Sequence, residues 1–318
     1  MLSNGEKLGA LIIPTGVGAS IGGYAGDASV VARMLTKKSK LIINPNVVNA
    51  ACFSGINDNM LYVEGYSLDR FFKGECKLKK SSENKIGVVF DRSISQSVLN
   101  VHINTINAVK TVYGINVIGF EITEDPVGVN FFVDSSGIST GDVNNIKTIK
   151  TASEKLIQKG ADVIAIVCSF PEDNNEEYEN GIGVDPVGGV EAIISHYISK
   201  ELKIPCAHAP AFEDIRISTD IVNSKCAAEY ITPTFLPCIL LGLSQAPMIT
   251  KEGIGIEDLD FLVMPYNCLG GIPVLEMVKR QKTVYAIKEN STILNVTSKL
   301  LNIKVQEAAA YKDIFSIL

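Results

Sequence analysis

The chain has 318 residues, of which 46% are hydrophobic and 20% are charged. These fractions are typical of a folded globular protein and exclude a disordered or collagen-like chain. Lys and Arg number 29 and Asp and Glu number 35, which gives a net charge of −6. Because nucleic-acid binding needs clustered excess cationic side chains, this balance argues against a nucleic-acid partner. With three His residues and no Trp, imidazole chemistry has few candidates.

Short runs rich in β-branched residues alternate along the chain with longer segments of helical periodicity. The short runs predict buried strands at 8–13, 39–43, 86–90, 117–120, 163–167, 261–264 and 283–287. The periodic segments predict helices at 28–35, 96–112, 146–159, 187–202 and 272–281. Near-continuous apolar strands separated by helices indicate parallel sheets that are covered on both faces. The predicted fold class is therefore α/β, with Rossmann-like, mostly parallel sheets in two lobes.

Two polar segments indicate where the lobes begin and end. Residues 77–84 are a charged break before a new strand, and residues 172–183 are an acidic loop rich in turn-forming residues. We therefore expect a first α/β lobe from residues 1–84 together with 206–318, and a second from residues 85–205. A single large domain also fits this length.

The cysteines and the apolar segments indicate the cellular compartment of the protein. The seven cysteines include no CxxC pair, which favours free thiols in a reducing compartment over a disulfide framework or a structural zinc site. The apolar run at 8–13 is broken at Pro14 and is too short for a signal-peptide core. The longest apolar stretch, 235–243, is far shorter than the roughly 20 residues that span a bilayer. The sequence predicts a cytoplasmic protein with no membrane partner, and a homo-oligomer is compatible with it.

The first predicted strand leads into a glycine loop, which is followed by a helix expected to begin at Asp27. A strand, a glycine loop and a helix start together present free backbone N–H groups to an anion. The spacing is neither GxGxxG nor GxxxxGK[ST], so neither dinucleotide nor P-loop binding is predicted. The alternative is a close-packed turn. The candidate ligand-binding residues of this loop are Thr15, Gly16, Gly18, Ser20 and Gly22.

Two further polar loops follow the predicted strands at 39–43 and 261–264. In open α/β sheets, ligands bind outside the carboxyl ends of strands. Amide side chains both donate and accept hydrogen bonds, which suits a small polar ligand. The candidate ligand-binding residues of these two loops are Asn46, Asn49, Asn267, Gly270 and Gly271.

The densest group of reactive side chains lies between residues 183 and 210. Alternation along the predicted strand places the side chains of Cys206 and His208 on one face. The candidate catalytic residues of this segment are Asp185, Glu191, His196, Cys206 and His208.

Three interpretations of this segment stay open. In the first, His208 or His196 moves protons and Cys206 acts as a nucleophile, since a histidine can favour the thiolate. In the second, His196 and His208 bind a metal together with Asp185 or Glu191. In the third, the histidine on the helix and the thiol have structural roles. Nothing else in the sequence requires a cofactor.

Residues 160–171 (GADVIAIVCSFP) resemble the strand that carries the second cysteine of aspartate/glutamate and hydantoin racemases. Those enzymes use one cysteine from each lobe, on opposite faces of the substrate. The resemblance implies Cys168 as one alternative catalytic thiol and Cys52 as its partner. Proton abstraction next to a carboxylate would suit two such thiols.

A longer resemblance extends over most of the chain. It is to a family of unknown function that is known chiefly from cyanobacteria and plant chloroplasts, and it implies no particular reaction. It also implies that the position of Cys168 is usually not a cysteine, which counts against the two-cysteine mechanism. The motifs that carry it are IPTGVGASIGGYAGDA, PNVVNAA, LYVEGYSLDRF, GVEAIISH, IPCAHAPA and TFLPCILLGLS.

The function expected from the sequence is an enzyme that acts on a small, polar, anionic metabolite. Histidine and cysteine would supply acid–base or nucleophilic chemistry, and the glycine loops would bind the ligand. The alternatives are a cofactor-independent racemase or isomerase with a two-cysteine site, and a non-catalytic module that binds a small molecule.

Overall fold

The computed structural model describes residues 6–81, 83–172 and 176–318. Most of its strands belong to two parallel sheets, and the others form short antiparallel pairs. In chain order the strands are β1 (Lys7–Leu11), β2 (Ser39–Ile43), β3 (Asn49–Ala50), β4 (Phe53–Ser54), β5 (Met60–Tyr62), β6 (Lys77–Lys79), β7 (Ile86–Phe90), β8 (Val117–Ile122), β9 (Val129–Val133), β10 (Ser139–Val143), β11 (Val163–Ser169), β12 (Cys206–Ala211), β13 (Met248–Thr250), β14 (Phe261–Pro265), β15 (Thr283–Ile287) and β16 (Gln306–Ala308).

Helices connect most of the parallel strands, and two 3₁₀ turns lie at Pro45–Val47 and Ile256–Asp258. In the described ranges, and in chain order, the α-helices are α1 (Ser29–Leu35), α2 (Gly65–Lys73), α3 (Gln96–Tyr113), α4 (Ile146–Gln158), α5 (Glu176–Glu179), α6 (Gly188–Leu202), α7 (Ala227–Tyr230), α8 (Leu236–Ser244), α9 (Ile272–Lys279), α10 (Ser298–Leu301) and α11 (Tyr311–Ile317).

The first sheet has its earliest strand at its centre. Its six parallel strands lie in the order β5-β2-β1-β14-β15-β16. The chain moves from β1 to one edge at β5 and returns to the other side of β1 with β14. At such a reversal of strand order the following loops diverge and leave a crevice at the carboxyl ends of the strands. The two predicted glycine loops follow β1 and β14, the two strands that flank this crevice.

The second sheet is formed by the chain between β5 and β14 and is therefore an insertion in the first. Its four parallel strands lie in the order β8-β7-β11-β12. Between β8 and α4 the chain forms the antiparallel pair β9–β10. The α/β fold class predicted from the sequence is confirmed, and each predicted strand and helix is present with ends that differ by a residue or two.

The change from one sheet to the other lies later in the chain than the expected lobe boundary. The sequence places residues after 205 in the first lobe, but β12 pairs with β11 and lies at the edge of the second sheet. This change of sheet therefore follows Ala211. No turn signal marks that position, because the apolar strand continues past residue 205.

The two sheets share one hydrophobic core. Leu41 and Val263 from the first sheet and Val88 and Ala165 from the second belong to the same buried cluster. Helix α8 lies within it, with Leu240 fully buried. The outer faces are covered separately, by α2 and α9 on the first sheet and by α4 and α6 on the second. The shared core fixes the two sheets relative to each other and thereby positions their carboxyl ends.

Asn84 joins the start of the second sheet to the end of α8. Its Nδ2 donates hydrogen bonds to the carbonyl oxygens of Leu243 at 2.7 Å and Ala246 at 2.8 Å. The residue is 2% exposed. The Leu243 carbonyl oxygen also accepts the N–H of Ala246 at 3.1 Å, so Asn84 is an additional donor there and a donor to the buried carbonyl oxygen of Ala246.

We expect Asn84→Ala to lower the free energy of unfolding by about 1–3 kcal/mol, because the buried carbonyl groups of Leu243 and Ala246 each lose a hydrogen bond. Urea unfolding followed by circular dichroism measures this change. The matched control is Asn100→Ala on the exposed side of α3, where the amide bonds only to Gln96. We expect that variant to remain within about 0.5 kcal/mol of the wild type. Equal stability of both variants would contradict the role given to Asn84.

Candidate functional site

A cavity of about 670 Å³ lies where the carboxyl ends of the two sheets meet. The first sheet contributes the loops after β1, β2, β5 and β14, and the second contributes α6 and the end of β12. The volume falls within the roughly 300–1,000 Å³ that small-molecule sites occupy. The cavity also opens beside the reversal of strand order between β1 and β14, where ligands bind in related sheets. It is the candidate site.

The first glycine loop reaches the cavity at Thr15, but several of its amides bind the protein's own groups. The carboxylate of Asp27 accepts hydrogen bonds from the N–H groups of Gly22 at 2.7 Å and Tyr24 at 3.4 Å. The helix expected to begin at Asp27 begins at Ser29 and has seven residues. An internal carboxylate therefore binds the Gly22 amide, which the glycine loop was expected to offer to an anionic ligand.

Other residues of this loop also make contacts within the protein. Ser20 Oγ donates to Asn290 Oδ1 at 3.3 Å and accepts from the N–H of Ser291 at 2.9 Å. At Gly16 a Cβ would lie 3.1 Å from the carbonyl oxygen of Ser139. These contacts favour the close-packed turn, which needs the left-handed backbone that glycine permits. Positive φ angles of 74°, 57° and 89° occur at Gly16, Gly18 and Gly22.

The two asparagines after β2 line the cavity and bond to neighbouring segments. Asn46 Nδ2 donates to the carbonyl oxygens of Ile13 at 3.2 Å and Gly22 at 2.6 Å. Asn49 Oδ1 accepts a hydrogen bond from the hydroxyl of Tyr62 at 3.2 Å. Asn46 therefore fixes the course of the first glycine loop.

In the loop after β14, the glycines and the asparagine have different positions. Gly270 and Gly271 are exposed and line the cavity at the start of α9, whereas Asn267 lies behind the wall. Asn267 Nδ2 donates to the carbonyl oxygens of Thr292 at 2.8 Å and Leu294 at 2.6 Å. The amide predicted to bind a ligand thus holds the loop that follows β15.

Helix α6 brings acidic side chains to the cavity. Asp185 Oδ1 accepts hydrogen bonds from the N–H groups of Val187 at 3.0 Å and Gly188 at 3.2 Å, at the positive end of the helix dipole. Val190 belongs to the core against the second sheet. The next residue, Glu191, lines the cavity and is only 9% exposed.

Glu191 faces His208 on β12. The distance from Glu191 Oε2 to His208 Nε2 is 3.8 Å, which is longer than a hydrogen bond. Glu191 Oε1 and His208 Nδ1 are both buried, and neither has a hydrogen-bond partner. Since buried polar atoms are nearly always paired in folded proteins, two orphaned atoms in one cavity wall need an explanation.

Burial determines the protonation of this pair. Removal from water raises the pKa of the Glu191 carboxyl well above its usual value, and the negative charges of Asp185 and Glu229 raise it further. Burial lowers the pKa of His208 to about 3, with a smaller contribution from His196. Burial therefore favours the uncharged form of each group, the protonated Glu191 carboxyl and the neutral His208 imidazole.

His196 and Cys206, the other two members predicted for this group, lie on opposite sides of the cavity wall. His196 is exposed and lines the cavity, and its Nε2 would lie 2.2 Å from a Cβ placed on Gly65. Cys206 faces α6 as alternation predicts, but it is buried outside the wall, and its Sγ donates to the carbonyl oxygen of Ser195 at 2.9 Å. Burial raises the pKa of this thiol. The structural interpretation of Cys206 fits this environment.

The two cysteines of the racemase resemblance both lie outside the cavity wall. Cys52 is half-buried in the turn between β3 and β4, and only its neighbour Ala51 reaches the cavity. Cys168 is buried in the core beneath α6, and desolvation raises the pKa of its thiol well above the usual value. Neither sulfur atom therefore lines the cavity.

The metal interpretation needs a third ligand beside the two histidines. In residues 6–81, 83–172 and 176–318, no group of three or more His, Cys, Asp and Glu side chains has the geometry to hold a metal ion. His196 and His208 both line the cavity without such a partner.

Sequence reasoning missed the acidic and aromatic residues opposite Glu191. Burial and the charge of Asp185 raise the pKa of Glu229 to about 8. Glu229 is hydrogen-bonded to the side chain of Tyr178, whose ring stacks on that of Tyr24 with centroids 5.0 Å apart. Glu229 and Tyr178 belong to the short helices α7 and α5, and no periodic pattern in the sequence indicates their position.

The chain belongs to the family described as "Protein of unknown function (DUF3326)", whose model matches residues 9–318. Over 314 residues the chain is 36% identical to an uncharacterized lipoprotein of Synechococcus sp.. The aligned region covers 95% of this chain and 87% of that protein. The family relation expected from the motifs is thereby confirmed. No solved structure matches the chain. Among the described residues, no helix is long and apolar enough to cross a membrane.

The burial of the cysteines predicts which thiols react in the folded protein. We expect an aromatic disulfide reagent to modify Cys52 in the native state, and to modify Cys206 and Cys168 only after unfolding, because a buried neutral thiol is unreactive. Peptide mass spectrometry identifies the labelled positions. In Cys52→Ser the fast reaction should disappear. Rapid native labelling of Cys206 would contradict its structural interpretation.

The raised pKa of Glu229 predicts how stability changes with pH. The folded protein holds this proton up to about pH 8, whereas an unfolded Glu releases it near its ordinary value of 4.5. The stabilising contribution is complete below pH 4.5 and is lost as the pH rises to about 8. Each unit of pKa shift is worth about 1.4 kcal/mol.

We therefore expect Glu229→Gln to flatten the fall in the free energy of unfolding between pH 4.5 and 8 and to be more stable than the wild type at pH 8. Denaturant unfolding at a series of pH values gives both slopes. The control is Glu201→Gln, since the Lys150 ion pair keeps the pKa of Glu201 below its usual value. An unchanged slope in Glu229→Gln would show that the pKa of this carboxyl is not raised in the folded protein.

Proposed function

We propose that this DUF3326 protein is an enzyme that transfers protons to and from a small polar molecule bound between the two sheets. One observation carries the proposal: Glu191 and His208 face each other in the cavity wall, each with a buried polar atom that has no hydrogen-bond partner. Leaving such atoms unsatisfied costs about 1–3 kcal/mol each. A bound substrate that hydrogen-bonds to both would remove this cost.

The two groups have complementary protonation states. Burial favours the protonated Glu191 carboxyl, which serves as the general acid, and the neutral His208 imidazole, which serves as the general base. Two titratable groups whose surroundings drive their pKa values in opposite directions are the usual basis of an acid–base pair. The substrate would accept a proton from Glu191 and lose one to His208.

The cavity supplies the other requirements of such a reaction. It is large enough for a small metabolite, and apolar residues such as Phe212 and Phe235 line it beside the polar groups. His196 lies at its exposed side and contributes to the lowered pKa of His208. We assign His196 a positioning and tuning role. Cys206 has no part in this proposal, because its neutral thiol lies outside the wall.

A cytoplasmic location is also proposed, and it rests on the seven free cysteines, which suit a reducing compartment. The Synechococcus relative is named a lipoprotein, so attachment of this chain to a membrane is the competing outcome. Fractionation of cells that express the full chain, with the membrane pellet washed in high salt, separates the two.

We expect purified wild-type protein to exchange a substrate C–H proton with deuterium or to convert the substrate, when panels of small metabolites are followed by NMR in D₂O. Glu191→Gln and His208→Asn should each lower the rate by at least about 100-fold, since each removes one partner of the proton transfer. The matched control is Glu201→Gln on the exposed side of α6, which should retain the wild-type rate. Thermal unfolding confirms that each variant folds.

Two outcomes would contradict the proposal. Full turnover in both Glu191→Gln and His208→Asn would remove these residues from the chemistry. Ligands that raise the melting temperature of the wild type without any exchange or conversion would instead identify a non-catalytic binding module.

A further inference from the structure

The charged side chains in the cavity wall are predominantly acidic. Asp185, Glu191 and Glu229 lie close enough for the first to raise the pKa of the other two. The guanidinium of Arg216 also borders the cavity, but it pairs with Asp214 and its side chain is 86% exposed. In the described part of the chain, no lysine or arginine forms an ion pair with Glu191 or Glu229. The cavity therefore has an excess of acceptors over cationic donors.

Glu191 provides an independent sign that this acidic region receives a ligand. Its side chain lines the cavity, the residue is nine-tenths buried, and Oε1 has no hydrogen-bond partner. The other two carboxyl groups have hydrogen-bond partners within the protein. Asp185 accepts from the N–H groups at the start of α6, and Glu229 is hydrogen-bonded to the side chain of Tyr178. A ligand donor that approached all three would complete the bonds of Glu191.

Aromatic faces surround the same region. The stacked rings of Tyr24 and Tyr178 line the cavity, and Phe212 and Phe235 line it with ring centroids 6.1 Å apart in an edge-to-face arrangement. The Tyr24 ring already attracts a cation, since Lys225 Nζ lies 5.1 Å from its centroid. Aromatic faces attract organic cations through the ring quadrupole, and nearby carboxylates add charge attraction.

We infer that the substrate carries a positively charged nitrogen, as a protonated amine or a guanidine, and that this group binds between Asp185, Glu191 and Glu229 beside the tyrosine pair. The inference rests on the proposed function and specifies the substrate class for the same cavity. It differs from the anionic ligand expected from the glycine loop, whose amides at Gly22 and Tyr24 bond to Asp27.

A cation in this position also affects the acid–base pair. Its positive charge lowers the pKa of Glu229 from about 8, so that more of this carboxyl ionises at neutral pH. Binding at neutral pH should therefore release protons, which a purely structural role of these carboxylates would not produce. Glu191 would become a stronger acid only when the substrate is in place.

The test uses two sets of matched probes that differ in charge alone: tyramine, tyrosol and 4-hydroxyphenylacetate, and hexylamine, hexanol and hexanoate. Isothermal titration of the full chain at neutral pH and low salt measures affinity, and buffers of different ionisation enthalpy measure the protons released. We expect at least one amine to bind about tenfold more tightly than its alcohol, and the carboxylate to bind most weakly. Glu229→Gln should reduce this preference severalfold and decrease the proton release.

The matched control Glu201→Gln should keep both the preference and the proton release. The inference is overturned if a carboxylate binds best, if neither amine is preferred over its alcohol, or if Glu229→Gln leaves the preference unchanged. His208→Asn separates the two proposals, because it should abolish turnover and keep amine binding. Amine preference without turnover in the wild type contradicts only the proposed function, and turnover of an anionic substrate contradicts only this inference.

Discussion

The position of β1 at the centre of the first sheet is the constraint on which the rest of the structure depends. Parallel strands flank it on both sides, and the connections that follow β1 and β14 diverge at their carboxyl ends. Asn44 fixes the end of β1, because its side chain accepts the N–H of Ile13 at 3.0 Å and donates to the carbonyl oxygen of the same residue at 2.8 Å. The crevice between the loops is thus a consequence of topology, and the inserted second sheet closes it into a cavity.

Buried polar groups in and around the cavity are of two kinds, and unpartnered buried atoms also occur away from it at Ser29, Asn84 and His102. Around it, Asn46, Asn267 and Asn290 direct their amides at backbone or side-chain partners, so that the loops are internally satisfied. Glu191 and His208 differ, because each keeps a buried atom without a partner. A half-satisfied buried pair destabilises the fold. The contrast is therefore an argument for a bound molecule, because close packing alone would not require polar atoms at these two positions.

The sequence was sufficient for the fold class because the strands of both sheets are short, apolar and rich in β-branched residues. It also brought Glu191 and His208 into one group, since helix α6 and strand β12 are consecutive and their periodicities are clear. Cys206 and His208 both face α6, but only His208 lines the cavity. The sequence could not predict this difference, because it depends on where along β12 the cavity begins. Glu229 and Tyr178 were beyond prediction, as tertiary packing alone places their short helices.

The glycine loop shows that a motif alone does not determine which group its amides bind. Free amides at a loop attract any anion, and in this fold the nearest one is Asp27, five residues beyond Gly22 in the same chain. Once that carboxylate has taken the amides, the electrostatics of the cavity are determined by Asp185, Glu191 and Glu229. Burial favours the protonated form of Glu191 and raises the pKa of Glu229 to about 8, so the cavity gains negative charge as these carboxyl groups release protons. Charge recognition and proton release therefore involve the same carboxyl groups, and any ligand that changes one must change the other.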